Sequence, residues 1–183
     1  MEGGILPEEF YWRDPRRVAL ELLGNLLERS LPGRLIRCII TEVEAYLGPK
    51  DPGSRASMHR AGRIVERLRG PSGVTLVYGV HGNWMLNIVA HPPGGTGAVL
   101  LRACEPLDTG IGSTLGPGRL TRALQVDRSL DGIPVYESGS PLRVRWRPGP
   151  RRVARSRRIG LRRDLDEPLR FCIAGSRYVS RRC

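Results

Sequence analysis

The stretch Val74–Ala90 reads VTLVYGVHGNWMLNIVA, and its reading decides the fold class. Two apolar runs, VTLVY and WMLNIVA, flank a five-residue loop, GVHGN, that contains two glycines. That is the pattern of a β-hairpin. Residues 70–101 contain no Asp, Glu, Lys or Arg, as a membrane span would. Pro92–Pro93, Gly94–Gly95 and two histidines interrupt them, and the pattern is strand-like, which excludes a transmembrane helix. Working outward, AVLLRAC (98–104) reads as the next strand. Before the hairpin, a Pro32–Gly33 turn leads into a β-branched strand over roughly 34–46. Asp14–Pro15 looks like an N-cap with proline at the first helical position, and Val18, Leu22, Leu23, Leu26 and Leu27 predict a helix near 15–29. Residues 48–62 read as irregular. RLTRALQV after Gly116-Pro-Gly118 predicts a short helix with Leu120, Ala123 and Leu124 inward, and LRFCIAG a late strand. Strands follow one another without regular βα alternation. The expected class is α+β, a single domain over 1–183 with a mainly antiparallel sheet and flanking helices.

Composition narrows the function. The chain has 183 residues, 40% of them hydrophobic, which suffices for a buried core and excludes wholesale disorder. Its net charge is +12. Residues 143–183 hold 14 arginines against Asp164, Asp166 and Glu167, a net of +11, while the first 142 residues are near neutral. A near-neutral body ending in a cationic segment implies phosphate binding, with nucleic acid as the leading partner. The alternative is a solvated tail, against which the apolar run FCIAGSRYVS speaks. Cys38, Cys104, Cys172 and Cys183 show no CxxC spacing, so neither a metal site nor a disulfide framework is signalled; the first three read as small buried residues. Trp12, Trp84 and Trp146 read as packing residues. MEGGILPEEFYW lacks the basic and apolar regions of a secretory signal, so an intracellular, cytoplasmic location is expected, with no membrane partner.

The densest candidate site is TEVEAYLGPKD (41–51). On an extended strand Glu42, Glu44 and Tyr46 share one face. Two carboxylates and an aromatic among apolar residues fit a general base beside an aromatic platform. The same segment fits a strand with a solvated polar face, and two glutamates could also hold a metal, although no Asp/His cluster supports that.

EVEAYLGPKDP resembles the motif of the alkyladenine (3-methyladenine) DNA glycosylase family. GVTLVYGVHGNWMLN, VLLRACEPL, GPGRLTRAL, RRIGL and PLRFCIAGS resemble its later segments in order, and FYWRDPRRVALELLG its start. The resemblance implies a mixed fold with a curved antiparallel sheet and a protruding hairpin that enters the minor groove of DNA. It implies that Glu44 activates water against the sugar C1′, with Arg102 beside it. It makes Tyr46 and Tyr78 stacking residues for an extruded base, Asn87 a pocket residue that crowds normal guanine, and the hairpin tip at His81 the intercalating wedge. Tyr78 and Asn87 also fit plain strand packing and backbone bonding, and Arg102 a surface pair with Glu105. Three departures stand out. Arg55 occupies the position of a family histidine, the tip reads His81–Gly82 instead of Tyr-Gly, and GRIVERLRG replaces an RTPRN-like stretch. An Arg55 turned toward a flanking phosphate is favoured over one in the pocket, because a buried unpaired guanidinium is costly.

The implied reaction is excision of an alkylated or deaminated purine from double-stranded DNA, leaving an abasic site, by a monomer that needs no cofactor. Arg151, Arg152, Arg157 and Arg158 are the expected phosphate contacts. Lys50 is the only lysine and is not expected to act as a Schiff-base nucleophile, so a monofunctional enzyme is expected. Two other classes compete: a non-catalytic arginine-rich nucleic-acid-binding protein, and a metal-dependent nuclease using both glutamates.

Overall fold

Strand β2 (Arg34–Tyr46) organises the molecule. The computed structural model describes residues 3–149 and 152–183. Along one edge β2 pairs with β5 (Ala98–Pro106) over most of its length. Along the other edge it pairs first with β1 (Leu26–Leu31) and then, at Glu42–Glu44, with β8 (Arg170–Ile173). The hairpin of β3 (Thr75–Val80) and β4 (Asn83–Val89) adds to β5, β6 (Leu142–Arg145) adds to β1, and β7 (Val153–Ser156) adds to β8. Each of these pairings is antiparallel, and the sheet curls into a half-barrel with few helices. The α+β, antiparallel class is therefore as expected.

The helices are short: α1 (Pro15–Leu22), α2 (Arg55–Met58), α3 (Arg63–Arg69) and α4 (Pro117–Ala123). Val18, Leu22 and Leu23 from α1 and its end, Leu120 and Leu124 from α4 and its end, and Leu86 and Leu101 from the sheet share one hydrophobic core. Asp14 caps α1 by accepting from the Arg16 N–H at 2.8 Å, with Pro15 at the first position. The helix stops seven residues before its expected end. Leu26 and Leu27 are taken by sheet pairing on both sides, to Ile39 and Cys38 of β2 and to Arg145 and Val144 of β6, and the Asn25 amide closes the helix on the Glu21 carbonyl at 2.8 Å. Tertiary pairing overrides a helical period here.

Other expectations are corrected as well. The hairpin loop has two residues, not five: Val80 pairs with Asn83, leaving His81 (φ 47°) and Gly82 (φ 73°) as the turn. Positive φ at both positions is what a type I′ hairpin turn requires. The segment expected to be irregular contains α2. Cys172 is disulfide-bonded to Cys183, while Cys38 and Cys104 are free and buried as expected. Eleven-residue spacing carries no pairing signal; the chain brings Cys183 back to β8 only through the fold. Trp12 and Trp146 are half exposed, whereas Trp84 packs against the core. Among the described residues no helix is long and apolar enough to cross a membrane.

Candidate active site

In β2 the core-facing residues are Ile36, Cys38 and Ile40, and then Val43 and Ala45. The change of parity comes from an irregularity in the β2–β5 register at Glu42. A β-bulge re-aims every side chain beyond it. Glu42 and Glu44, which would otherwise share the core face with Ile40, are turned to the other one. Arg102 of β5 and Arg170 of β8 flank them there, and the expected common face of Glu42, Glu44 and Tyr46 is realised.

Glu44 is fully buried. Its Oε1 accepts the Ile159 backbone N–H at 2.8 Å and lies 3.2 Å from Arg102 Nη1, and its Oε2 accepts the Tyr46 hydroxyl at 2.8 Å. Burial pushes the Glu44 carboxyl above the usual range, and Arg102, Ile159 and Tyr46 only partly offset it. Glu42 is equally buried but shifts the other way. Burial pushes it up, yet Arg170, the Ser180 hydroxyl and N–H, and Arg102 outweigh that and hold it low. Two carboxylates on one face are thus shifted in opposite directions.

Above this floor lies a cavity of about 1100 Å³. Tyr46, Arg102 and Ile159, the partners of Glu44, line it, as do Tyr78 and the tip residue His81. Among the described residues no Asp or Glu lines it, whereas Lys50, Arg55, Arg102, Arg162 and Arg163 do. Such a cavity attracts polyanions. Arg55, expected to swing toward a phosphate, instead lines the cavity with its guanidinium 5.3 Å from the Tyr78 ring centroid. The ring face attracts that charge and offsets part of the cost of its partial burial. Asn87 is buried beside the cavity and not in its wall. Its amide donates to the Leu76 carbonyl at 3.1 Å. Lys50, not expected to act as a nucleophile, is at its exposed rim.

Arg158 is corrected outright. Its side chain is fully buried, with Nη2 2.6 Å from Asp51 and 2.5 Å from Asp164, Nη1 2.9 Å from the Ala45 carbonyl, and its plane 4.6 Å from the Tyr46 ring centroid. It fastens the loop that carries Ile159 to the loop after β2. Gly53 makes this possible, because a Cβ there would stand 2.7 Å from Arg158 Nη2 and 2.6 Å from Leu161 Cδ1. Arg157 is exposed and paired with Asp166, Arg152 is exposed, and Arg151 lies outside the described residues. Sequence reasoning missed Arg170, Ser180 and the cavity arginines Arg162 and Arg163. Only the RRIGL segment hinted at the loop concerned.

Residues 9–177 match the family model described as methylpurine-DNA glycosylase (MPG). The chain belongs to the methylpurine-DNA glycosylase family. Similar members include an Aeropyrum pernix protein, 52% identical over 98% of this chain and 94% of its own length. An Anaeromyxobacter protein is 39% identical over 96% of this chain and 92% of its own, and one from Methanoculleus marisnigri is 36% identical over 97% and 99%. Each of the three carries the name "Putative 3-methyladenine DNA glycosylase". The matched residues include Glu44 and the whole cavity lining, but stop short of Ser180.

Proposed function

We propose that the protein is a monofunctional DNA glycosylase that acts as a monomer on intracellular duplex DNA. It extrudes an alkylated or deaminated purine and hydrolyses its N-glycosidic bond with a water activated by Glu44. The observation that carries this reading is the buried Glu44, whose partners Tyr46, Arg102 and Ile159 all line a cavity rich in cationic side chains. Once ionised, Glu44 takes a proton from water as the oxygen attacks C1′. The glycosidic electron pair leaves with the base, most readily when alkylation has made that base cationic. The same carboxylate is a counter-charge for the oxocarbenium-like transition state. Arg102 favours the ionised form of Glu44, and the Tyr46 hydroxyl and Ile159 N–H fix its orientation while leaving one lone pair, on Oε2, free for water. Tyr46 already carries Arg158 over one ring face, so an extruded base stacks on the other and on Tyr78. Asn87 holds β3 behind the cavity wall through the Leu76 carbonyl. His81, exposed at a tight turn on the cavity rim, is the candidate wedge for the vacated stack.

A metal-dependent nuclease would need both glutamates as ligands, yet Glu42 already accepts from Arg102, Arg170 and Ser180. A purely binding protein has no use for a buried, elevated carboxyl. Single-turnover excision on duplexes holding 3-methyladenine, hypoxanthine or ethenoadenine tests the proposal. Glu44→Gln should still bind but lose roughly 10²-fold or more in rate, the usual contribution of a general base. Near-normal excision by that variant overturns the role of Glu44. Activity abolished by EDTA points to the nuclease, and a borohydride-trapped adduct at Lys50 rules out the monofunctional mechanism.

A further inference from the structure

Glu42 takes part in neither step above, yet it is fully buried and richly bonded. Its Oε1 accepts from Arg102 Nε at 2.8 Å, from Arg170 Nε at 2.8 Å and from the Ser180 hydroxyl at 2.7 Å, and its Oε2 accepts the Ser180 N–H. Arg102 is divided as a result. Its Nε goes to Glu42 and its Nη2 to the Ser180 hydroxyl at 3.3 Å, leaving Nη1 for Glu44 at the longer distance of 3.2 Å. An arginine facing a single carboxylate prefers a two-pronged fork. Here the fork cannot close on Glu44, because one prong is held elsewhere.

We propose that Glu42 is a positioning residue that keeps Glu44 basic, by holding Arg102 through Nε so that only one N–H reaches the catalytic carboxylate. The proposal rests on the reading of Glu44 as the general base. A base clamped by a full guanidinium fork ionises early and takes a proton from water poorly. Glu42 shares the positive charge of Arg102 and Arg170 and adds its own negative charge nearby, and both effects keep proton affinity at Glu44. Ser180 helps to fix Glu42 from the returning C-terminal segment, beyond the residues that match the family model.

The groups facing Glu44 are few. They are Glu42 and Tyr46 from β2, Arg102 from β5, Arg170 opposite on β8, Tyr78 on β3 and the Ile159 N–H. Glu44 and Glu42 outweigh burial and hold Arg102 charged, burial pushes both tyrosines up, and Glu42 is held low. An acid-side titration above the ordinary glutamate range therefore belongs to Glu44.

The test is a carboxyl carbon-13 NMR titration of Glu44 in the whole protein, its signal assigned by its loss in Glu44→Gln, beside the pH profile of single-turnover excision. In Glu42→Gln, Arg102 is released to Glu44. The Glu44 midpoint and the acid limb of the profile should both move down by roughly one pH unit. The plateau rate should fall by roughly threefold to tenfold, as for a weaker base. Glu42→Asp, which keeps the charge, should stay nearer the wild-type midpoint. The double variant Glu42→Gln/Arg170→Gln removes a carboxylate and a guanidinium together, and carries the test if the single variant does not fold. A folded Glu42→Gln, or the double variant in its place, with an unmoved or raised Glu44 midpoint overturns the proposal, whatever its rate. Wild-type protein that excises no lesion while the midpoint still shifts overturns only the glycosylase reading.

Discussion

At Glu44, burial and polar partners oppose each other, and burial prevails. Its folded-state proton affinity therefore exceeds that of the unfolded chain, where a glutamate titrates near about 4.3. The folded state binds the extra proton, so this residue stabilises the fold below that value, and the contribution is lost as pH rises through the elevated folded value. Glutamine cannot ionise. The melting temperature of Glu44→Gln relative to wild type should thus improve steadily from acid to neutral pH, as is usual when a functional group is held at a cost to stability. Paired thermal melts across that window check this, and a pH-independent difference would contradict it. Arg55 sets a second residue-scale expectation. Beside Tyr78 its permanent charge repels a cationic alkylpurine, and it can only donate hydrogen bonds. Arg55→His should raise excision of 3-methyladenine relative to neutral hypoxanthine by roughly tenfold, equivalent to about 1.4 kcal/mol of barrier. An unchanged ratio with weaker binding to all DNA would return Arg55 to the phosphate role.

Two elements bring the site together. The bulge in β2 turns the glutamates off the core face, and the loop around Ile159 brings the backbone donor to Glu44. That loop is held by Arg158 between Asp51 and Asp164. Burial works against the Asp51 charge, but Arg158 and the Leu47 and Gly53 N–H groups outweigh it and hold the carboxyl below its usual range. Breaking a buried pair by removing one partner typically costs about 3–5 kcal/mol. For a protein of this length Arg158→Gln should therefore lower the melting temperature by roughly 10 °C and disturb Glu44 through Ile159. Arg157→Gln, one residue away on an exposed pair, should leave the melt unchanged. Equal effects from the two variants would show that the clamp does not hold the loop.

Across the whole molecule, part of the C-terminal positive charge is used internally. Arg143 and Arg145 face Glu28, Arg158 faces Asp51 and Asp164, and Arg170 faces Glu42. Arg152, Arg162 and Arg163 are exposed, the last two on the cavity rim. Neutralising these three should flatten the slope of log affinity against log salt by roughly 0.9 for each duplex phosphate that the protein no longer neutralises. Neutralising Arg158 should lower stability and leave the slope alone. Filter-binding or fluorescence titrations over a salt series distinguish the two, and an unchanged slope in the triple variant would move the DNA path elsewhere.

The sequence by itself determined the antiparallel α+β class, the β2 strand, the hairpin and the common face of Glu42, Glu44 and Tyr46. Each of these rests on alternation and turn residues, which act between chain neighbours. Tertiary structure decided the rest. Whether Leu26 and Leu27 extend a helix or start a strand depended on two partner strands that no local pattern names. Which arginines meet carboxylates and which meet solvent depended on contacts more than a hundred residues apart, as between Arg158 and Asp51. The opposite shifts in proton affinity of two glutamates two residues apart could not be read from their identities. They follow from the donors around each, and Arg102, Arg170, Ile159 and Ser180 converge on them only when β5, β8 and the returning C-terminal segment close around β2.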